Sequence, residues 1–240
     1  AIDVGSNSVK LLIADVIDGI VIPLMHEGEQ TRLGRDVFDT GRLQSGAIGD
    51  TARVVGAFAE KALGQGAVSV RVLATSAARE ASNGDELVAA IDEFGLELEI
   101  ISGEHEAELV LRGVRSLPEF AKGPLAIIDV GGGSTELIVA EDAMLYLQHS
   151  FALGTLRLLE RFTPSDLPTA EERAKLTQAL DEFLDEQLTP WLGDVPLPGT
   201  LVGAGGTPVF LSRIIKGRDD LSADEIESLR LPLSEVASAN

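Results

Sequence analysis

Two short segments of this chain read Ile-Asp-Val-Gly-Ser-Asn-Ser (2–8) and Ile-Asp-Val-Gly-Gly-Gly-Ser (128–134). Each ends an apolar run on an aspartate and valine, then breaks into glycine and small polar residues. Such a turn aims several backbone N–H groups at one point and makes a nest for an anion. Glycine lets a phosphate approach the backbone closely and tolerates a positive φ. An aspartate ahead of the turn can hold a divalent cation that bridges phosphates. Asp3, Gly5, Ser6, Asn7 and Ser8 then form one half-site, and Asp129, Gly131, Gly132, Gly133, Ser134 and Thr135 the other. A tight hairpin with an Asx-type cap would account for either turn by itself. Two such turns in register favour phosphate binding.

Other segments could reach the same ligand. In VGAGGTPVFLSRI (202–214), a strand runs into Gly203, Gly205, Gly206 and Thr207, then into a helix with Pro208 in its first turn. Glycines ahead of a helix N-terminus make an anion site, although such junctions are common in α/β proteins. In LATSAAREASN (73–83), Thr75 and Ser76 follow a strand end and Arg79 sits one turn further on. A guanidinium fork suits a pair of phosphate oxygens; standing alone, the segment would read as a helix cap with a surface arginine. ISGEHEAEL (101–109) sets Glu104, Glu106 and Glu108 near a helix start, where carboxylates suit the dipole. Glu106 also falls at the carboxyl end of a strand, where open α/β folds bind ligands, so it could orient or deprotonate a water. Glu136 should share a strand face with Ser134 and Ile138. A carboxylate beside a phosphate loop calls for a metal or a water; the alternative is a solvated carboxylate at a strand edge. His26, His105 and His149 form no ligand-like grouping and read as surface or satisfied core residues. There is no P-loop lysine motif, no GxSxG elbow and no HExxH pair.

These residues need a frame, and the chain supplies one twice. Residues 2–14 and 128–140 align without gaps at an offset of 126, with seven of thirteen positions identical. Each copy reads strand, turn, strand. The first half is expected to place strands near 1–4, 9–16, 19–25, 68–74 and 96–101, with helices over 47–63, 85–94 and 104–114. Leu117–Pro124, with two prolines and a glycine, reads as a linker. The second half is expected to place strands at 125–130, 135–140, 144–153 and 199–204, and helices at 154–162, 169–188 and 207–215. Thr169 with Glu172 fits a capping box. The pattern is a duplicated α/β architecture, with domains at 1–118 and 119–240.

Bulk properties narrow the function. The 240 residues are 45% hydrophobic but only 4% aromatic, so the core must be aliphatic. No apolar run approaches a membrane span, and no basic-then-apolar leader opens the sequence. Ala1-Ile2-Asp3 already reads as the middle of a strand, which suggests an earlier natural start. Without cysteine there is no disulfide framework and no thiol nucleophile. A cytoplasmic protein fits all of this. A formal charge of −20 argues against nucleic-acid binding. An anionic substrate must then be held by local N–H groups, a few cations and metal, against the overall field.

IDVGSNSVKLLIAD, ATSAAREASN, ISGEHEAEL, IDVGGGSTELIV and GAGGT, in this order and spacing, resemble the exopolyphosphatase / guanosine pentaphosphate phosphohydrolase family across nearly the whole chain. The resemblance implies two ribonuclease H-like domains of the actin, sugar kinase and heat-shock ATPase superfamily, with substrate in the cleft between them. It implies release of terminal orthophosphate from polyphosphate or guanosine pentaphosphate, with Mg²⁺ or another divalent cation, and a homodimer is compatible with it. Glu106 becomes the base that activates water and Glu136 the second carboxylate, positioning water or metal. Asp129 looks like the family's metal-linked aspartate, with Asp3 and Glu136 as further metal candidates. Gly5 to Ser8, Gly131 to Ser134, Thr75, Ser76, Arg79, Gly205 and Thr207 match phosphate-binding positions, and Arg32 in QTRLG matches a recurrent arginine. Lys10 stands where relatives often carry arginine, histidine or phenylalanine. Relatives continue past the position of Asn240, so the second domain is expected to be cut short. A kinase or ATPase of the same superfamily, or a non-catalytic polyphosphate or alarmone sensor, is the alternative.

Overall fold

The protein is described by a computed structural model covering residues 1–162 and 165–238, with the backbone alone for Ala223 and Asp224. The first half builds a five-stranded sheet in the order β3-β2-β1-β4-β5. Its elements are β1 (Ile2–Val4), β2 (Ser8–Ile17), β3 (Ile20–Gln30), α1 (Val37–Thr40), α2 (Ser45–Gly64), β4 (Val72–Ala74), α3 (Ser76–Glu80), α4 (Gly84–Asp92) and β5 (Leu98–Ile100). β1, β2 and β3 run antiparallel, whereas β4 and β5 extend the sheet parallel to β1 and β4 in turn. In β1 the alternation sends Ile2 and Val4 into the core and Asp3 to the opposite face. α2 covers the core face because Ile48, Thr51, Ala52, Val55, Phe58, Ala59 and Ala62 recur every three or four residues and are all buried.

The second half builds a four-stranded sheet in the order β8-β7-β6-β9. α5 (Gly103–Arg115) leads to it through a short 3₁₀ turn, Pro118–Phe120. Then follow β6 (Pro124–Val130), β7 (Thr135–Glu141), β8 (Met144–Phe151), α6 (Thr155–Phe162), α7 (Ala170–Phe183), α8 (Thr189–Leu192), β9 (Leu201–Ala204), α9 (Gly206–Lys216), α10 (Ala223–Glu227) and α11 (Leu233–Ala237). β6 and β7 form the second hairpin, in register from Pro124↔Glu141 to Val130↔Thr135. β9 joins β6 in parallel, as β4 joins β1.

α5 follows the last strand of the first sheet yet packs on the second. Its Ala107 and Val114 share a core cluster with Leu125, Ile127 and Ile138. A bond from Gln148 Nε2 to the Glu104 carbonyl at 2.7 Å ties its start to β8.

Several expected elements differ. The strand expected over 68–74 narrows to 72–74, the length that the three residues of β1 can pair, and Val68 is fully exposed. The third strand runs on to Gln30 because its partner β2 is long enough to pair it throughout. α1 was not anticipated. The capping box at Thr169 is present, but the helix passes into a π-helical turn at Leu184–Leu188 before α8.

Candidate active site

The two hairpin turns are closed by the same bond. Gly5 N–H donates to the Ser8 carbonyl at 3.1 Å, and Gly131 N–H to the Ser134 carbonyl at 3.0 Å. Beyond that bond, the turn carbonyls are tied back. The Ser6 carbonyl accepts from Gly34 N–H at 2.7 Å and the Asn7 carbonyl from Arg32 N–H at 2.9 Å. Arg32 takes a positive φ of 51° to make this bond. In the second turn the first residues of α6 do the same work. Thr155 N–H bonds the Gly131 carbonyl at 3.0 Å and Leu156 N–H bonds the Gly132 carbonyl at 2.9 Å. Arg157 Nε donates to the Gly133 carbonyl at 3.0 Å. A trans peptide points its N–H opposite to its C=O. With the carbonyls held from behind, the N–H groups of residues 7 and 8, and of residues 132 to 134, are turned away from the supporting segments, as an anion nest requires.

The turns face each other in contact rather than across an open gap. A methyl group added at Gly132 would lie 3.4 Å from Ser6 Cβ and 3.5 Å from Asn7 N. One added at Gly133 would lie 2.5 Å from Ser76 Oγ and 2.6 Å from both Phe38 Cζ and Ser6 Oγ. None of Gly5, Gly131, Gly132 and Gly133 has a positive φ. Tolerance of a positive φ is therefore not why glycine stands in these turns; space is.

Four carboxylates belong to this region: Asp3, Glu106, Asp129 and Glu136. Burial, the largest cause in each case, pushes all four above the ordinary carboxylate range. For Glu106 the nearby Glu136 adds to burial and Arg79 opposes it, leaving the group at about 8. Arg79 Nη1 lies 3.0 Å from Glu106 Oε2 and also donates to the Ile101 carbonyl at 3.0 Å. The alternative of a surface arginine is thus overturned. Glu136 is 2% exposed on the inner strand β7, so a solvated edge position is overturned as well. It accepts from Ser150 Oγ at 2.6 Å. Glu104 sits at the helix start, where a backbone amide and Ser102 hold it below the usual range. Glu108 pairs with Arg112 at 2.6 Å.

The charges on the two hairpins differ at one register position. Asp3 is paired across the strands with Lys10, whereas Asp129 is paired with Glu136. Lys10 lowers both Asp3 and Asp129 against the larger effect of burial, and Asp129 raises Asp3. Like charges directly opposite one another destabilise a sheet. An oxygen-only donor set with surplus negative charge suits a hard divalent cation. Among the described residues no three acidic or histidine side chains converge into a metal cage.

The remaining expected residues divide. Gly205 has a φ of 82° at the start of α9, and any side chain there would overlap the Asp129 carboxylate. The Thr207 hydroxyl donates to the Val130 carbonyl at 2.8 Å, and that of Ser76 to Glu80 at 2.9 Å, so both protons are already committed. Thr75 N–H bonds the Val4 carbonyl at 3.2 Å, linking α3 to the end of β1. The Arg32 side chain is exposed. His149 stacks on Trp191 at 4.1 Å, a packed histidine as expected. Sequence reasoning missed Ser150 and the pair Arg157–Glu80.

Known proteins resemble this chain along most of its length. The model of the Ppx/GppA phosphatase family matches residues 12–237. Exopolyphosphatase 2 of Mycobacterium tuberculosis is 36% identical over 248 residues, covering 98% of this chain and 76% of the relative. A guanosine-5'-triphosphate,3'-diphosphate pyrophosphatase of Vibrio cholerae is 30% identical, over 92% of this chain and 44% of its own. Among solved structures, an exopolyphosphatase from Cytophaga hutchinsonii superposes with a TM-score of 0.83 at 27% identity, covering 93% of this chain and 72% of that one. The Aquifex aeolicus Ppx/GppA family member gives 0.76 at 30% identity, over 99% and 75%. The fold extends to PilM of a type IV pilus complex, at 0.56 and 13% identity. Two α/β sheets, each opened by an Asp-Val-Gly hairpin, place the chain in the ribonuclease H-like superfamily of actin, sugar kinases and heat-shock ATPases. Within it, this chain belongs to the Ppx/GppA phosphatase family.

Proposed function

We propose that the chain hydrolyses the terminal phosphoanhydride of inorganic polyphosphate or guanosine pentaphosphate and releases orthophosphate. The observation that carries the reading is the paired hairpins with carbonyls tied back, set beside a glutamate that burial and a second glutamate make basic. The names of the relatives in both branches support it. Substrate phosphates rest on the N–H groups of the two turns. Glu106 takes the proton of a water whose oxygen attacks the terminal phosphorus, and the bridging oxygen leaves with the shortened chain. Glu136, fixed by Ser150, orients that water. Arg79 holds Glu106 in place and shares its fork with a phosphate oxygen; Arg32 reaches a phosphate from outside. Catalysis of this kind is positioning and electrostatic stabilisation. Asp129, with Asp3 or Glu136 as a second carboxylate, would hold Mg²⁺, which would supply positive charge against the phosphates.

In covalent order the two domains are residues 1–118 and 119–240, although α5, ahead of that boundary, packs on the second sheet. The same reading takes the protein as cytoplasmic and compatible with a homodimer. No helix among the described residues is long and apolar enough to cross a membrane. The net charge of −20 favours a short chain or nucleotide over very long polyphosphate. Phosphate release from polyphosphates of several lengths and from guanosine pentaphosphate, with and without Mg²⁺, tests the proposal. Release that needs Mg²⁺ is expected. Tight binding without release would instead identify a sensor, and transfer to an acceptor other than water a kinase.

A further inference from the structure

Arg157 belongs to no motif noted in the sequence, yet its side chain engages both halves of the molecule. Its Nη2 bonds both oxygens of Glu80 on α3, at 2.7 and 2.9 Å. Its Nε donates to the Gly133 carbonyl. Its guanidinium lies 3.9 Å above the ring of Phe38 on α1. Only 19% of the side chain is exposed. A planar cation with a donor on each edge can hold two acceptors in a fixed relation, which a lysine cannot do.

What it holds is specific. Glu80 also accepts from Ser76, the first residue of α3. Gly133 is the turn position where Ser6, Ser76 and Phe38 close in on the backbone. One guanidinium therefore fixes the tilt of the Gly133 peptide and its distance from the first half at once. In the first turn the equivalent carbonyl, that of Asn7, is held by a backbone N–H from Arg32. The second turn has no such backbone donor to its Gly133 carbonyl among the described residues, and a side chain takes the place.

We infer that Arg157 is a positioning residue for phosphate binding. It sets the direction of the Ser134 N–H, which shares its peptide with the Gly133 carbonyl, and registers the second nest against the first. The inference rests on the phosphate-binding reading above and goes beyond it by assigning a residue that need not touch substrate.

The test uses calorimetric binding of inorganic tripolyphosphate together with steady-state kinetics. Arg157→Lys keeps the charge near Glu80 but loses the Nε donor and the planar fork. It should weaken tripolyphosphate binding and raise KM about tenfold, the size of one charge-assisted hydrogen bond. Turnover at saturation should stay within about threefold. Glu80→Gln, which leaves the bond to Gly133, should lower the melting temperature and change binding less than about threefold. Arg161→Ala, on an exposed position of the same helix, should change neither. If Arg157→Lys binds as tightly as the parent, or if Glu80→Gln weakens binding equally, Arg157 is only a strap between halves and the inference falls. If Arg157→Lys does not fold, Phe38→Leu is read in the same way: weaker binding with turnover kept supports the inference, and unchanged binding overturns it. If the parent itself binds no tripolyphosphate, the phosphate-binding reading fails and the inference falls with it. A parent that binds, paired with an unaffected Arg157→Lys, removes the inference alone.

Discussion

The two hairpins share a backbone plan and differ in charge. Both close with a Gly N–H to Ser carbonyl bond, and both have their next carbonyls pinned from behind. The supporting elements are unrelated: an irregular segment at 32–34 for the first, and the start of α6 with Arg157 for the second. The aspartate at the end of the first strand is kept, but its cross-strand neighbour is Lys10 in one and Glu136 in the other. One hairpin is locally balanced; the other stores negative charge in a buried place. A nest for phosphate is a property of peptide orientation and can be built twice from different parts. What distinguishes the copies is the charge opposite the aspartate.

The largest effect should come from removing the base. Glu106→Gln should cost about 10²–10⁴-fold in turnover while still binding phosphate chains, and Glu104→Gln and Glu108→Gln should keep most activity. Normal turnover by Glu106→Gln with a dead Glu136→Gln would exchange the roles of the two carboxylates. Next comes the contact between turns. Gly133→Ala forces Ser6, Ser76 and Phe38 apart and should destabilise the protein by about 1–3 kcal/mol. Gly132→Ala, whose new methyl would meet ordinary contacts at 3.4 Å and beyond, should cost well under half of that by thermal melting. Equal costs would show that the turns are not pressed together in solution.

The smallest effect concerns stability and pH. Glu106 is held near 8 in the folded protein against a usual value of 4.5. A raised folded pKa stabilises below the unfolded value, and that contribution is lost as pH climbs through the folded one. Ligand-free Glu106→Gln should therefore gain on the parent between pH 5 and pH 9, by on the order of 1–2 kcal/mol at the upper end. Lys10→Met should move the other way at pH 8, because it removes the cation that offsets Asp3 and Asp129. Parallel melting curves for Glu106→Gln and parent across this range would remove the buried-charge account.

Much of the cradle was legible because it is local. An ungapped repeat, an aspartate at a strand end and small residues in the turn are all read within a dozen positions. Ser150 was not legible, because register from the β7–β8 turn misleads. The pairs Ala140↔Leu145 and Glu141↔Met144, carried inward, would set His149 opposite Glu136; a bulge after Val139 brings Ser150 there instead. Arg157 was hidden for another reason. GTLRLLERF reads as an ordinary amphipathic helix, and nothing local says that this arginine reaches an acceptor 77 residues earlier. Side-chain protons were equally beyond reach: Thr207 and Ser76 have the right type for phosphate, but the fold spends them on Val130 and Glu80.

The crossing of α5 has a practical meaning for dissecting the molecule. The helix is connected to the first sheet by sequence and to the second by its apolar face. A fragment begun at residue 119 would leave Leu125, Ile127 and Ile138 without the Ala107 and Val114 that lie on them, and exposed sheet faces of that kind aggregate. A fragment begun at Ser102 would carry its own lid, N-cap included. Covalent order and thermodynamic membership part company at Ser102, and expression yield of the two fragments would show where the second unit begins to fold.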